Sequence, residues 1–153
     1  MHYLLSDPKF GNDFSCDSLE PLIKLLNEDH EHWKGGSGDS AVNVPGTNDT
    51  LIFFKTEKGI FIEDLATVTA PVIHPAMDVL SITHYVGGDP MDVPNISLMD
   101  KEQALRILTY FIENTGGLSP EYTWDYIYNY IPYRYDEFPE KELEERKKQL
   151  GRS

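Results

Sequence analysis

Residues 100–117 read DKEQALRILTYFIENTGG, and this stretch predicts the best-defined helix of the chain. Asp100 is placed to cap the N-terminus, and Gln103 follows three residues later, which is the spacing of a capping box. The pair Gly116 and Gly117 predicts a left-handed cap at the other end. Apolar residues at helical spacing form the expected buried face. These are Ala104, Leu105, Leu108, Phe111 and Ile112.

A second helix is predicted over residues 18–28. Asp17 or Ser18 can cap it, and Pro21 fits only its first turn. The glycine-rich residues 35–38 that follow predict a flexible loop. The apolar stripe of this predicted helix falls at i, i+3, i+4 and i+7, and consists of Leu19, Leu22, Ile23 and Leu26.

The middle of the chain has the patterns of β-strands. Residues 51–54 and 60–62 are apolar runs around a short loop, which predicts a β-hairpin. Residues 79–86 alternate, with Tyr85 on the face opposite the apolar one, and residues 95–98 predict one more short strand. Two helices around these strands predict a single α+β domain, an antiparallel sheet packed with two main helices.

Length and composition agree with one domain and a short extension. The chain has 153 residues, 40% of them hydrophobic and 25% charged, which is ordinary for a globular protein. We expect residues 1–138 to form the α+β domain and residues 139–153 a charged C-terminal helix or tail. No signal peptide or membrane-spanning run is apparent, and the lone cysteine, Cys16, cannot form an internal disulfide. These features predict a cytoplasmic protein.

The charge of the chain restricts its partners. Asp and Glu outnumber Lys and Arg by 26 to 13, and residues 1–138 carry 22 acidic side chains against 8 basic ones. A charge this negative repels nucleic acid and anionic membranes, whereas it attracts a basic protein and speeds the encounter with it. We therefore expect a protein partner with a basic surface, and neither nucleic acid nor a membrane.

Residues with catalytic or metal-binding chemistry form no recognisable motif. Residues 29–32 read DHEH, but His-x-His shares a face only on a strand, so a solvated helix end is expected here rather than a metal site. His84 is expected to be a hydrogen-bonded core histidine, and His74 has no identifiable partner. We predict no catalytic residues, no metal, no cofactor and no enzymatic activity.

Tyrosines concentrate in residues 122–135, which hold six of the nine in the chain. Residues 126–131 alternate, so a strand would turn two isoleucines to the core and three tyrosines outward. Tyrosine suits interfaces because it combines a large rigid area with a polar tip. The alternative is that these tyrosines pack under the C-terminal tail, and both stay open. The residues predicted to bind a partner are Tyr85, Trp124, Asp125, Tyr126, Tyr128, Tyr130, Tyr133, Asp136 and Glu137.

Residues 96–126 read ISLMDKEQALRILTYFIENTGGLSPEYTWDY. This short strand and capped helix, followed by Gly117, Pro120 and Trp124, resemble the end of immunity protein family 1, and the resemblance extends over residues 18–126. The family consists of small bacterial proteins encoded beside polymorphic toxins, often nucleic-acid deaminases or nucleases. The resemblance implies a protein of interbacterial competition that binds and neutralises a cognate toxin domain by occluding its active site.

Two other classes of function stay open at this point. One is an acidic interaction or regulatory module without a toxin partner. The other is a small-ligand-binding domain or an enzyme, which a deep pocket containing His84 would favour.

Overall fold

The computed structural model describes residues 1–131. Three predictions lie outside the described residues. They concern the binding role of Tyr133, Asp136 and Glu137, the domain boundary after residue 138, and the charged tail over residues 139–153.

The described residues, 1–131, fold into two sheets and two α-helices. The strands are β1 Tyr3–Asp7, β2 Gly11–Cys16, β3 Ser40–Asn43, β4 Thr50–Thr56, β5 Gly59–Asp64, β6 Thr69–Pro71, β7 Ser81–Val86, β8 Asp89–Pro94 and β9 Trp124–Tyr126, and the helices are α1 Glu20–Leu26 and α2 Lys101–Glu113. Seven strands form one antiparallel sheet in the order β2-β1-β3-β4-β5-β6-β9, and β7 pairs with β8 as a separate hairpin. The predicted α+β class is therefore confirmed.

The middle of the seven-stranded sheet is covered on both faces. The register pairs Ser40 with Phe53, so the side chains of Ser40 and Phe54 point to opposite faces. Trp33 donates from its indole to Ser40 on one face, and His84 of the β7–β8 hairpin stacks on Phe54 on the other. The apolar side chains of both layers belong to one buried cluster.

The N-terminal strands β1, β2 and β3 were not expected from the sequence. The chain opens with a hairpin rather than with a helix, and α1 follows it. The predicted cap of α1 is wrong, because the N-cap position is Leu19 and no side chain caps it, whereas Pro21 does lie in the first turn. The apolar face is also rotated, since Ile23 is exposed. The buried residues of α1 are Leu22, Leu25 and Leu26.

The segment after the β7–β8 hairpin and the loop that packs on it differ from their predictions. The glycines Gly87 and Gly88 form the turn of a hairpin, and the predicted strand over residues 95–98 is a 3₁₀ turn at Asn95–Ser97. The glycine-rich loop before β3 is not simply a flexible connection. Gly38 has a φ of +77°, and a Cβ there would collide with the backbone carbonyl of Tyr85.

Helix α2 matches its prediction closely. Asp100 accepts a hydrogen bond of 2.8 Å from the Gln103 N–H, and the Gln103 side chain accepts one of 3.0 Å from the Asp100 N–H, so both halves of the capping box are present. At the other end Thr115, not a glycine, takes the first left-handed position, with a φ of +52°. The buried face contains Ile107 in place of the half-buried Leu105, and consists of Ala104, Ile107, Leu108, Phe111 and Ile112.

Among residues 1–131, no helix is both long enough and apolar enough to cross a membrane.

Candidate functional site

Four of the residues predicted to bind a partner lie together at one edge of the seven-stranded sheet. We call Asp125, Tyr126, Tyr128 and Tyr130 the C-terminal cluster. Strand β9 is the edge strand here, because it pairs only with β6 among the described strands. A 3₁₀ turn at Ile127–Asn129 follows β9 directly, and the cluster occupies the end of this strand and the turn.

The prediction of a strand over residues 126–131 is wrong beyond Tyr126. The Ile127 N–H still donates to the carbonyl of Val68 at 3.0 Å, but the chain then turns, and the Ile131 N–H donates back to the Ile127 carbonyl at 3.2 Å. Both isoleucines are buried, as expected. They are four residues apart, a spacing that suits one helical turn as well as it suits a strand.

The carboxylate of Asp125 organises the C-terminal cluster. It accepts a short hydrogen bond from the Tyr130 hydroxyl, one of 2.8 Å from the Asn129 side-chain amide and one of 2.9 Å from the Tyr126 N–H. The hydrogen bond from Tyr130 is the main cause that lowers the pKa of Asp125 below its usual value, because each donor stabilises the charged form. The ionised carboxylate therefore ties the turn to the edge strand.

Two tyrosine rings of the C-terminal cluster support each other. Tyr126 and Tyr128 meet edge to face, with ring centroids 5.3 Å apart. Tyr126 is 40% exposed, and Tyr128 and Tyr130 are half-buried. The cluster therefore presents aromatic side chains that already contact each other or the Asp125 carboxylate in the absence of a partner.

The remaining described members of the predicted site, Trp124 and Tyr85, are not part of the C-terminal cluster. Trp124 packs its half-buried ring against the core and donates from Nε1 to the Ser119 carbonyl at 3.0 Å, which is a structural contact. Tyr85 is 54% exposed on β7 and lines a different groove of about 490 Å³. We call it the lysine groove, because Lys34, Lys55 and Lys58 line it, together with the acidic Glu57.

His84 also lines this lysine groove but is committed to the core. Its Nε2 lies 2.7 Å from the Gly38 carbonyl, and its ring stacks on Phe54 with centroids 3.8 Å apart. Burial lowers the pKa of His84, and the hydrogen bond to Gly38 opposes this only in part. The prediction of a hydrogen-bonded core histidine is confirmed. His74 does have a partner, contrary to expectation, because its Nε2 lies 2.9 Å from the Leu98 carbonyl.

Two of the groove lysines already have partners in the fold. Lys55 donates to the carbonyls of Leu26 and Glu28 at 2.6 and 2.7 Å, and so caps the end of α1. Burial lowers the pKa of Lys55, and nearby Lys101 adds to that effect. Lys34 pairs with Glu31 at 2.8 Å on the surface.

A buried polar network at the end of β1 was not expected from the sequence. His32 is buried, not solvated as expected, and its Nε2 lies 2.8 Å from a carboxylate oxygen of Asp7. Ser40 donates to Asp7 at 2.6 Å and accepts from the Trp33 indole at 2.8 Å. Because serine and histidine both bind the carboxylate and not each other, this is not the arrangement of a nucleophilic triad. The partners lie 25 and 33 residues apart in sequence, so no local pattern reveals them.

A second feature without a sequence signal is an apolar groove of about 640 Å³ between the β1–β2 hairpin and α1. We call it the hairpin groove. Phe10 and Phe14 line it and are 58% and 60% exposed, which is unusual for phenylalanine.

Within residues 1–131 no three His, Cys, Asp or Glu side chains lie close enough together to hold a metal ion. Comparison with other proteins adds no assignment. No model of a known protein family matches the chain, and no curated protein matches its sequence significantly.

Proposed function

We propose that this protein is an immunity protein that binds a cognate toxin domain and neutralises it by occluding the active site. The toxin in this proposal acts on nucleic acid, as a deaminase or a nuclease. The observation that carries the proposal is the C-terminal cluster on a strongly acidic domain. There Asp125 binds the Tyr130 hydroxyl and the Tyr126 N–H, and the ring of Tyr126 packs on the ring of Tyr128.

Charge supports a basic partner surface. The described residues 1–131 include 20 Asp and Glu against 7 Lys and Arg. A toxin that acts on nucleic acid needs a basic substrate groove, because phosphate contacts dominate such binding. An acidic inhibitor is drawn toward that groove and competes there with the substrate.

The aromatic side chains support a stable complex. Tyrosines that are rigid before binding lose little conformational freedom on association, and buried aromatic anchors carry most of the energy of an interface. In this proposal the protein works in the cytoplasm of the cell that makes the toxin. It catalyses no reaction and uses no metal or cofactor, and its partner is neither nucleic acid nor a membrane.

The test is binding kinetics on an immobilised cognate toxin domain at two salt concentrations. We expect Tyr128→Ala and Tyr130→Ala to weaken binding by more than about 1 kcal/mol each, mostly through a faster off-rate. Asp125→Asn should slow association as well, and added salt should mask that part of its effect. Tyr85→Ala reports on the lysine groove and should bind like wild type. Wild-type kinetics for all the cluster variants would overturn the assignment of this surface.

One observation favours a second candidate function, the binding of a small anion. The lysine groove brings Lys34, Lys55 and Lys58 together beside His84 and Tyr85. Calorimetric titration with inorganic phosphate and with a nucleoside diphosphate tests it. Saturable binding that Lys58→Met abolishes would favour this function, and no heat at high ligand concentration would exclude it.

A further inference from the structure

We infer that the hairpin groove docks an amphipathic helical segment of a partner protein, one with apolar side chains on one face and Lys or Arg beside them. The inference concerns this surface alone and does not require that the partner be a toxin.

Apolar side chains form much of the wall of the hairpin groove, and the two phenylalanines among them are open to solvent. Phe10 lies in the turn between β1 and β2, Phe14 on β2 and Leu5 on β1, and Pro21 of α1 lies opposite them. Two phenylalanines more than half exposed beside one groove form the kind of apolar patch that marks an interaction surface.

These walls are held in place without a partner. The Tyr3 hydroxyl donates to the Ser18 carbonyl at 2.7 Å, which ties β1 to the segment that leads into α1. At the other end the ring of Phe10 lies 5.7 Å from the ring of His32, which is fixed by Asp7. A groove that exists before binding costs little to organise, so more of the contact energy becomes affinity.

The charges around the hairpin groove select a basic segment. Glu20 at the start of α1 and Glu28 just beyond its end line the groove, and Lys24 is the single Lys or Arg among its lining residues. Asp13 and Asp17 lie exposed on the strand and loop that connect the hairpin to α1. Anionic lipid is repelled by such a rim. A second copy is repelled too, because it brings the same acidic rim and the same net charge of −13.

The edge strand itself argues for a helix rather than for an added strand. Strand β2 is an edge of the seven-stranded sheet, but its register against β1 shifts between Leu5 and Asp7. Asp13 has a φ of +56°, and its N–H donates to the Ser6 hydroxyl at 2.9 Å. A bulge of this kind interrupts the backbone groups that an incoming strand would need. Side chains inserted from a helix face need no such regular edge.

The hairpin groove is a different surface from the C-terminal cluster. Strands β2 and β9 are the two ends of the seven-stranded sheet. At about 4.8 Å per strand step, the two edges lie roughly 29 Å apart. Variants at one surface therefore leave the other intact, and the two proposals fail independently.

The experiment titrates the isotopically labelled full chain with a synthetic amphipathic peptide that carries leucines on one helical face and arginines on the others. A matched peptide replaces every arginine with glutamate. We expect the arginine peptide to shift the amide resonances of Phe10, Phe14 and Lys24, and the glutamate peptide to shift none. Replacing both Phe10 and Phe14 with Ser should weaken binding at least about tenfold. Leu65→Ser, at an exposed leucine just after β5, should leave it unchanged.

A second variant keeps the test decisive if the phenylalanine variant does not fold. Glu20→Lys combined with Glu28→Lys changes only exposed side chains and should also weaken the binding of the arginine peptide. The inference is overturned if the glutamate peptide binds equally well, or if the shifts map to the C-terminal cluster instead. It is also overturned if the wild-type chain sediments as a dimer that Phe14→Ser dissociates, because a second copy then covers the groove.

Discussion

The hydroxyl of Tyr130 donates a hydrogen bond to the Oδ2 atom of Asp125, across the turn that follows strand β9. The other oxygen of the same carboxylate accepts from Asn129 and from the Tyr126 N–H. One side chain therefore fixes the end of the edge strand, the turn and a tyrosine ring together. These hydrogen bonds favour the ionised carboxylate and lower the pKa of Asp125.

Tyr130→Phe should raise the pKa of Asp125 toward its usual value, because it removes the hydrogen bond that lowers it most. The folded-state pKa is below the unfolded one, so the stabilisation by Asp125 is present above the unfolded pKa of about 3.9 and is lost as pH falls through the folded value. Carbon-detected NMR titration of the carboxyl group measures the shift. Asn129→Ala should raise the pKa less, and an unchanged pKa in Tyr130→Phe would mean that this hydrogen bond does not form in solution.

His84 should make the protein less stable in mild acid. Its folded-state pKa is lowered by burial, so between that value and the unfolded pKa of about 6.5 the unfolded chain binds more protons. Stability therefore falls as pH drops from about 6.5 toward the folded-state pKa. Urea unfolding above and below this range should show a smaller loss for His84→Gln, whose side-chain amide can still donate to the Gly38 carbonyl. An equal loss in both proteins would show that other groups cause the acid sensitivity.

Gly38→Ala should destabilise the fold more than Gly46→Ala. Both glycines have positive φ, +77° and +86°, so each alanine costs about 1–2 kcal/mol in backbone strain. Only at Gly38 does the new Cβ also collide with the backbone of Tyr85, whereas nothing lies within 4 Å of it at Gly46. Thermal and urea unfolding of the two variants measures the difference. Equal costs would mean that the loop before β3 does not pack on β7.

The cap and the buried face of helix α2 should contribute separately to the stability of the fold. Asp100→Ala removes the side-chain half of the capping box and should cost roughly 0.5–2 kcal/mol. Leu108→Ala empties a fully buried site and should cost roughly 2–5 kcal/mol. Leu105→Ala is the matched control. Because Leu105 is only half-buried, its replacement should lower the free energy of unfolding by less. If Leu108→Ala leaves the free energy of unfolding in urea unchanged, the buried face of α2 has been assigned incorrectly.

The sequence predicts elements whose signals are local. The cap of α2 rests on residues three apart, and the β4–β5 hairpin on two apolar runs around Gly59, so both are visible in a short window. Strand β2 has no such signal, because five of its six residues are exposed and no alternation marks it. As an edge strand it exists through its pairing with β1, and that pairing is tertiary information.

The candidate site was predictable only in part for the same reason. The concentration of tyrosines pointed to residues 122–135, and the structure brings Asp125, Tyr126, Tyr128 and Tyr130 together there. The alternation of Tyr and Ile did not reveal that the strand ends at Tyr126. The sequence could not predict that Tyr85 lies away from the C-terminal cluster, and it could not predict the hairpin groove. Both features depend on contacts between segments far apart in sequence.

The most direct test of the central claim is an inhibition titration with the cognate toxin domain that the proposed function requires, sought as the product of the gene next to this protein's own. Toxin activity on its nucleic-acid substrate is measured while the protein is added, and the complex is sized in parallel. The account predicts a one-to-one complex that abolishes activity at stoichiometric protein. Full toxin activity in the presence of excess protein, with no complex formed, would contradict it.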